Sequence, residues 1–431
     1  MEFINKVLSK ENMTQAFKQV TKNKGAAGLD NITVDEAQNY VNNHWEDIKG
    51  KIFNKKYFPS PVKRIYIPKN NGDKRPLGIP TVMDRIIQQA IAQQLELIYE
   101  PVFSDSSYGF RPGRSCEKAI IKTLEFINDG YDWIIDLDIS KFFDTVNHDK
   151  LIQLLRKRMN DGKALFLIRQ YLKAGYFENG NVESSVIGTP QGSNLSPILS
   201  NIMLDEFDKE LESRGLNFVR YTDDSNIIFK SGKVANRVMK SITSWLERKL
   251  FLKVNATKTK VVKPNQSNFL GFTYFHSGNN WKVKPTNESK EKLVRKLNLI
   301  LCRRKAAART LAFTFTKLNQ VLRVWINYFK IGYCKTFLIS LGRRIRHKVR
   351  VVIVKQWKKT LRIYKNLRKL GTNHDKAYQF ANSHYSIYKR CSLNTINYAI
   401  SPKRLEMANK KIKRPGLINP VNYYVSRFVL N

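Results

Sequence analysis

Ile86, Ile87, Ala90, Ile91, Leu95 and Ile98 recur at near-helical spacing, which predicts a helix over residues 82–100. Upstream, Lys63-Arg64-Ile65-Tyr66-Ile67-Pro68 alternates like a strand and runs into the turn signal Asn70-Asn71-Gly72-Asp73. The apolar run at 133–139 reads as a buried strand and 147–160 as a helix. Two short apolar runs, 217–221 and 226–229, flank a polar centre and predict a hairpin. Near the start, Lys24-Gly25-Ala26-Ala27-Gly28-Leu29-Asp30 is a turn between two helical stretches. Beyond residue 285 helical patterns dominate, with breaks expected at Gly332, Gly342 and Gly371. Mixed elements followed by helices alone predict an α+β body with an all-α appendage.

Charge sharpens that division. The 431 residues carry 76 Lys+Arg against 35 Asp+Glu, a net of +41. Residues 1–284 hold 42 basic and 31 acidic side chains; residues 285–431 hold 34 basic and 4 acidic. A helical region that gives up opposite-charge support must meet a polyanion, and nucleic acid is the expected one. At 42% hydrophobic residues the chain has enough apolar material for a core, which excludes wholesale disorder. No apolar run approaches the roughly 20 residues of a spanning helix, so no membrane partner is expected. The polar start MEFINKVLSKEN lacks a secretory h-region, and the four cysteines form no C-x-x-C pair. Zinc fingers and a disulfide framework are therefore disfavoured, and a reduced cytosolic setting is expected.

Two acidic clusters stand in strand contexts. In Trp133-Ile134-Ile135-Asp136-Leu137-Asp138, alternation puts Asp136 and Asp138 on one face and Ile135 and Leu137 on the other. Asp223-Asp224 lies between the two hairpin runs, where a tight turn would display it. Adjacent carboxylates raise one another's pKa unless a cation compensates, and Mg²⁺ favours a few carboxylates together with water and phosphate oxygens. An Asp-Asp pair alone is more often a turn cap than a metal site. A second strand-borne Asp in a basic chain shifts that balance.

These residues, with several others, resemble reverse transcriptases encoded by bacterial group II introns, in particular the compact class without an endonuclease domain. Tyr221-Thr222-Asp223-Asp224 resembles the family's Y-x-D-D box, and the Asp138 segment, ending in Phe143-Asp144, its first palm motif. Gly188-Thr189-Pro190-Gln191-Gly192-Ser193-Asn194-Leu195-Ser196-Pro197 resembles the P-Q-G loop. Arg75-Pro76-Leu77-Gly78-Ile79-Pro80 and Tyr108-Gly109-Phe110-Arg111-Pro112 match fingers signatures. Leu322-Arg323-Val324-Trp325-Ile326-Asn327-Tyr328-Phe329 resembles the maturase signature, and Phe269-Leu270-Gly271-Phe272 the primer grip, with core packing an equally good account of the latter.

The resemblance implies a right-hand polymerase: an N-terminal extension and fingers over 1–130, palm over 131–284, thumb or maturase domain over 285–375 and a DNA-binding domain over 376–431. No endonuclease domain is expected. It implies an RNA-directed DNA polymerase in the bacterial cytosol or nucleoid that binds its group II intron RNA, assists splicing and supports retrohoming by target-primed reverse transcription. The expected partners are the intron RNA, an RNA template, a DNA primer or target, and dNTPs. Alternatives are an RNA-binding splicing factor whose polymerase site has lapsed, and a related bacterial reverse transcriptase in phage defence. The intact Asp138, Asp223, Asp224 and Gln191 argue against the first alternative, and the basic C-terminal region against the second.

By the same resemblance Asp138, Asp223 and Asp224 hold two Mg²⁺ ions, for which Mn²⁺ can substitute, with help from the backbone carbonyl of Ile139. Asp138 and Asp223 are the principal ligands. Asp136 has no matched role and is expected to be solvated or salt-bridged. Lys69, Arg75 and Lys258 would face the triphosphate, Phe143 would exclude a 2′-hydroxyl, and Gln191 and Gly192 would sit beside the nascent base pair. Ser196 is expected to cap a helix that Pro197 opens. Arg111 and Arg114 would touch template phosphates, with Gly109 and Pro112 as turn formers. Arg303, Arg304, Lys305, Arg323, Arg343, Arg344, Arg346, Lys348 and Arg350 would neutralise RNA or DNA phosphates while Leu322, Trp325, Ile326 and Phe329 pack inward. Thr222 and Ser193 depart from the family's usual Ala and Gly, and Thr222 is expected to alter rate or fidelity.

Overall fold

Strands β1 (Val62–Pro68) and β2 (Lys74–Ile79) pair antiparallel, with Ile65 opposite Leu77, as the alternation predicts. Strand β3 (Trp133–Asp138) begins a second sheet. Strands β4 (Tyr176–Glu178) and β5 (Asn181–Glu183) extend the first sheet to the order β2-β1-β4-β5. The second sheet is completed by β6 (Asn217–Tyr221), β7 (Asp224–Phe229) and β8 (Lys260–Val262), in the order β6-β7-β3-β8. These come from a computed structural model that describes residues 2–68, 74–183, 187–190, 192–410 and 412–428, the Arg75 side chain excepted. It divides into two units, Met1–Pro264 and Asn265–Asn431.

In the first unit, Ile135 and Leu137 of β3 enter a core shared with Ile227 and with Ile198, Ile202, Ala235 and Ile242 of two helices, Ser196–Ser213 and Gly232–Trp245. The alternate residues, Asp136 and Asp138, therefore face the other way. The predicted helix forms as Val82–Tyr99 and is buried around most of its circumference. Thr81 caps it, accepting from the Asp84 N–H, while the Thr81 hydroxyl donates to the Asp84 carboxylate. The helix Ser196–Ser213 starts differently from expectation. Ser196 is already its first residue, and its hydroxyl donates to Pro190 O (2.9 Å), tying the helix to the preceding loop rather than capping it.

The second unit opens on the hairpin β9 (Phe272–Ser277) and β10 (Asn280–Pro285) and continues in helices. The division thus falls at 264/265, ahead of the charge shift at 284/285, because this hairpin packs with the helices that follow. Phe272 meets the rings of Tyr328 and Phe329, and the Tyr328 hydroxyl donates to Leu270 O. Leu322, Trp325, Ile326 and Phe329 line the buried stripe of the helix Leu311–Phe329. Gly332 and Gly371 do mark helix boundaries, but Gly342 lies inside the helix Lys335–Trp357. A Cβ there would come within 3.1 Å of Arg346 Nη1 and 3.5 Å of Pro420 Cδ, so its small size serves packing against the helix Pro420–Val425. Residues 416–425 return to earlier helices in other ways too. Asn319 donates to Gly416 O and accepts from Ile418 N–H, and the Tyr424 hydroxyl donates to Gly332 O.

Candidate active site

The β3–β7 register sets Asp138 directly opposite Asp224, and cross-strand partners share a face. Between Tyr221 and Asp224 only Thr222 and Asp223 remain, so Asp223 sits in the two-residue loop of the β6–β7 hairpin. Asp138 is tied down by one loop. Asn255 Nδ2 donates to its carboxylate (3.0 Å), Lys258 Nζ lies 3.2 Å from each carboxylate oxygen, and the Thr259 hydroxyl accepts from its N–H. Asn255 was not singled out by sequence. Its own amide oxygen accepts from the Thr257 N–H and hydroxyl, which shapes the loop that presents Lys258.

Ile139 bridges to Val254, with hydrogen bonds running from Ser140 N to Lys253 O and from Asn255 N to Asp138 O. That is the non-hydrogen-bonded antiparallel pair, which turns the Ile139 carbonyl away from Val254 and toward the side of the Thr222–Asp223 loop. Among the described residues no three Asp, Glu, His or Cys side chains form a closed metal cage. The donors present are carboxylates at two strand ends and in the hairpin loop, partly exposed, with one backbone carbonyl on the same side of β3 as that loop. They suit a hard cation that completes its shell with water and phosphate oxygens. The Lys258 ammonium on Asp138 marks the same demand for positive charge.

Asp136 is neither solvated nor at the surface: it is buried, and its carboxylate accepts from Asn226 Nδ2 (2.7 Å). Of the two adjacent phenylalanines, Phe142 is the core residue and Phe143 is half-buried, its ring edge-on to Phe142. Phe143 is locked to the next motif. Thr189 N–H donates to Phe143 O, Gly188 N–H to Val146 O, and His148 Nε2 lies 2.6 Å from Gly188 O. Gly188 has φ +90°, and a Cβ there would meet Phe143 O and Asp144 O at 2.9 Å. Burial of the His148 imidazole lowers its pKa, against the opposing effect of the Gly188 carbonyl. Gly192, at φ +110°, lies against β2, where a Cβ would be 2.5 Å from Gly78 O. Ser193 is buried, donates to Gln88 Oε1 and accepts from Leu195 N–H, hydrogen bonds that glycine could not supply. Lys69, Gln191 and the Arg75 side chain lie outside the described residues.

Arg111 does not reach a template face. Its side chain is 3% exposed, pairs with Glu100 (2.9 Å) and donates to Ser104 O and Ser107 O. Arg114 is partly exposed, pairs with Asp105 and stacks over Tyr108. Gly109 is more than a turn former, since a Cβ there would lie 2.4 Å from Thr222 N. Behind the β6–β7 hairpin sits a pair that sequence did not disclose: Arg220 and Asp208, fully buried and joined by two hydrogen bonds. Arg220 also donates to Thr222 O (2.9 Å), Ser107 Oγ (2.8 Å) and Asn201 Oδ1 (3.2 Å). In the second unit Arg303, Arg304, Lys305, Arg323, Arg343 and Arg344 are exposed, and Arg346 and Lys348 are half-buried. Arg350 is buried and donates to Ile400 O, so it supports the fold instead of facing phosphates.

Comparison with known families places these elements. Residues 67–274 match the family described as reverse transcriptase (RNA-dependent DNA polymerase), and residues 290–371 the group II intron maturase-specific domain. The group II intron-encoded protein LtrA of Lactococcus lactis subsp. cremoris is 43% identical over 206 residues, which are 48% of this chain and 34% of that protein. Protein YkfC of Escherichia coli K12 is 32% identical over 295 residues, covering 59% of this chain and 77% of that one. The putative COX1/OXI3 intron 2 protein of Saccharomyces cerevisiae is 36% identical over 253 residues, 58% of this chain and 28% of that protein. The match to LtrA thus spans about a third of that relative's length. With both domain families matched in order and a relative aligned over most of its length, the chain belongs to the group II intron-encoded reverse transcriptases that carry a maturase-specific domain.

Proposed function

We propose that this protein is an RNA-directed DNA polymerase that also binds its group II intron RNA, assists its splicing and supports retrohoming by target-primed reverse transcription. The observation that carries the polymerase reading is the placement of Asp138 opposite Asp224, with Asp223 in the adjoining hairpin loop. Residues 1–130 act as N-terminal extension and fingers, 131–284 as palm, 285–375 as thumb and maturase domain, and 376–431 as DNA-binding domain. Asp138, Asp223 and Asp224, with the Ile139 carbonyl, would hold divalent cations, Mg²⁺ or Mn²⁺ and two in number. When bound, these supply activation of the primer 3′-hydroxyl and neutralisation of the leaving pyrophosphate.

The chain's own residues do the rest. Lys258 neutralises Asp138 and moves to the triphosphate when substrate enters, where Lys69 and Arg75 join it. Phe143, held by its carbonyl to the Gly188–Pro190 segment, offers a rigid ring edge that rejects a ribose 2′-hydroxyl. Gln191 and Gly192 abut the nascent pair. The exposed arginines of the second unit grip intron RNA and target DNA through phosphates. No helix of the described residues is long and apolar enough to cross a membrane; we place the protein in the cytosol and nucleoid, with its nucleic acids.

Primer extension on an RNA template with dNTPs and Mg²⁺ tests the reading. The full chain should extend the primer, and Asp223→Asn should abolish synthesis while retaining intron RNA binding. Normal extension by that variant would overturn the assignment.

A further inference from the structure

Thr222 occupies the first position of a two-residue hairpin loop with φ +60°, a conformation uncommon for a β-branched residue. Surrounding structure holds it there from three directions. Its carbonyl accepts from Arg220 Nη1 (2.9 Å), and Arg220 is itself fixed by Asp208, Asn201 and Ser107. Its backbone and methyl lie against Gly109, where an added Cβ would be 2.4 Å from Thr222 N and 2.7 Å from its Cγ2. Gly109 is in turn fixed by Asn201 Nδ2, which donates to its carbonyl (2.9 Å). With the carbonyl and the methyl both assigned, the remaining substituent is the hydroxyl, and it donates to Asp223 Oδ1 (2.8 Å).

We propose that Thr222 is a positioning residue for metal binding, its hydroxyl fixing the rotation of the Asp223 carboxylate so that the ligand is set before an ion arrives. This rests on the reading of Asp223 as a metal ligand. Carboxylate ligands are commonly hydrogen-bonded by a second layer of residues whose loss weakens metal binding. An alanine at this position, lacking the hydroxyl, leaves the carboxylate free to rotate; Thr222 makes this chain's site more rigid than an alanine-bearing one.

The test is a Mn²⁺ titration of the full chain without nucleic acid, followed by electron paramagnetic resonance, with Mg²⁺ dependence of primer extension measured beside it. Thr222→Val keeps the branched shape without the hydroxyl and Thr222→Ala removes both, so both should weaken Mn²⁺ binding about tenfold, while Thr222→Ser stays within about twofold of the wild type. The Mg²⁺ requirement of extension should shift by the same factors. Should Thr222→Val fail to fold, Thr222→Ala carries the comparison, since alanine removes the branch that strains the loop. Asp223→Asn is the reference. If it binds Mn²⁺ like the wild type, the metal assignment of Asp223 falls and the proposal with it. If it loses the ion while Thr222→Val and Thr222→Ala do not, or if Thr222→Ser is as weak as they are, the role of Thr222 alone is refuted.

Discussion

Replacing Asp208 by asparagine would leave the Arg220 guanidinium charged in a site where the two side chains are 1% and 0% exposed. Arginine cannot shed its proton, so the charge must remain buried without its counter-ion. Breaking such a pair from one side costs about 3–5 kcal/mol. Three neutral acceptors, Thr222 O, Ser107 Oγ and Asn201 Oδ1, stay in place around Arg220 and point to the lower end of that range, about 3 kcal/mol. Against a typical total of about 5–15 kcal/mol this is a large fraction, visible as an earlier denaturant midpoint. Hydrogen exchange along β6 should accelerate with it. A second variant separates stability from positioning. Asp208→Leu combined with Arg220→Met replaces the pair by apolar volume and should recover much of the lost stability. It leaves the Thr222 carbonyl without its donor, so primer extension should remain depressed, on the order of 10–100-fold. An unchanged midpoint for Asp208→Asn, or full extension by the double variant, would refute the view that this pair seats the Thr222–Asp223 loop for polymerisation.

Gly109→Ala puts a methyl within 2.4 Å of the Thr222 backbone, which cannot yield like a flexible side chain; extension should collapse and stability fall by about 1–3 kcal/mol, read by activity and melting together. Arg111→Ala should destabilise by about 1.5–3 kcal/mol by removing charged hydrogen bonds, yet leave the salt slope of nucleic-acid binding unaltered. Arg303, Arg304, Arg343 and Arg344 should show the converse on neutralisation. Each phosphate left without its cation should flatten the logarithmic slope by about 0.7–0.9, as salt titrations of RNA and DNA binding would measure. His148 gives a pH dependence. Burial holds its pKa below the ordinary value, so below about pH 6.5 the unfolded chain takes up a proton that the folded one resists. Stability should therefore fall as pH drops through that region, and His148→Gln should reduce the drop; melting curves with equal pH slopes for both proteins would contradict it.

What could be read from the chain alone follows a physical division. β3, the β6–β7 hairpin and the helix Val82–Tyr99 were legible because each announces itself within a window of a few residues through alternation or helical spacing. The candidate ligands Asp138 and Asp223 are legible because a carboxylate ending an apolar strand, and an Asp pair at a hairpin turn, repel one another unless a cation compensates. Arg220–Asp208 and Asn255–Asp138 were not, since each joins residues that only folding brings together, and neither leaves a periodic trace. Arg111 is illegible for a related reason: an arginine in a Gly-Pro turn offers the same composition whether it faces a phosphate or, as here, Glu100. Gly342 shows the limit of reading glycine as punctuation, because a missing side chain also lets another segment come close. The charge shift at 285 and the packing division at 264/265 differ because charge reports on the partner and packing reports on the core.

The return of residues 416–425 onto the helices Leu311–Phe329 and Lys335–Trp357 bears on how this protein can be taken apart. Asn319 and Gly332, within the maturase-matched segment, take hydrogen-bond partners from a stretch that lies beyond it in sequence. A fragment cut at 375 would expose the seat of Tyr424 and strand both donor and acceptor of the Asn319 amide. The maturase-matched helices and residues 416–425 are thus stitched into one folding unit. A lineage could not exchange the last stretch for another without rebuilding the helices that seat it.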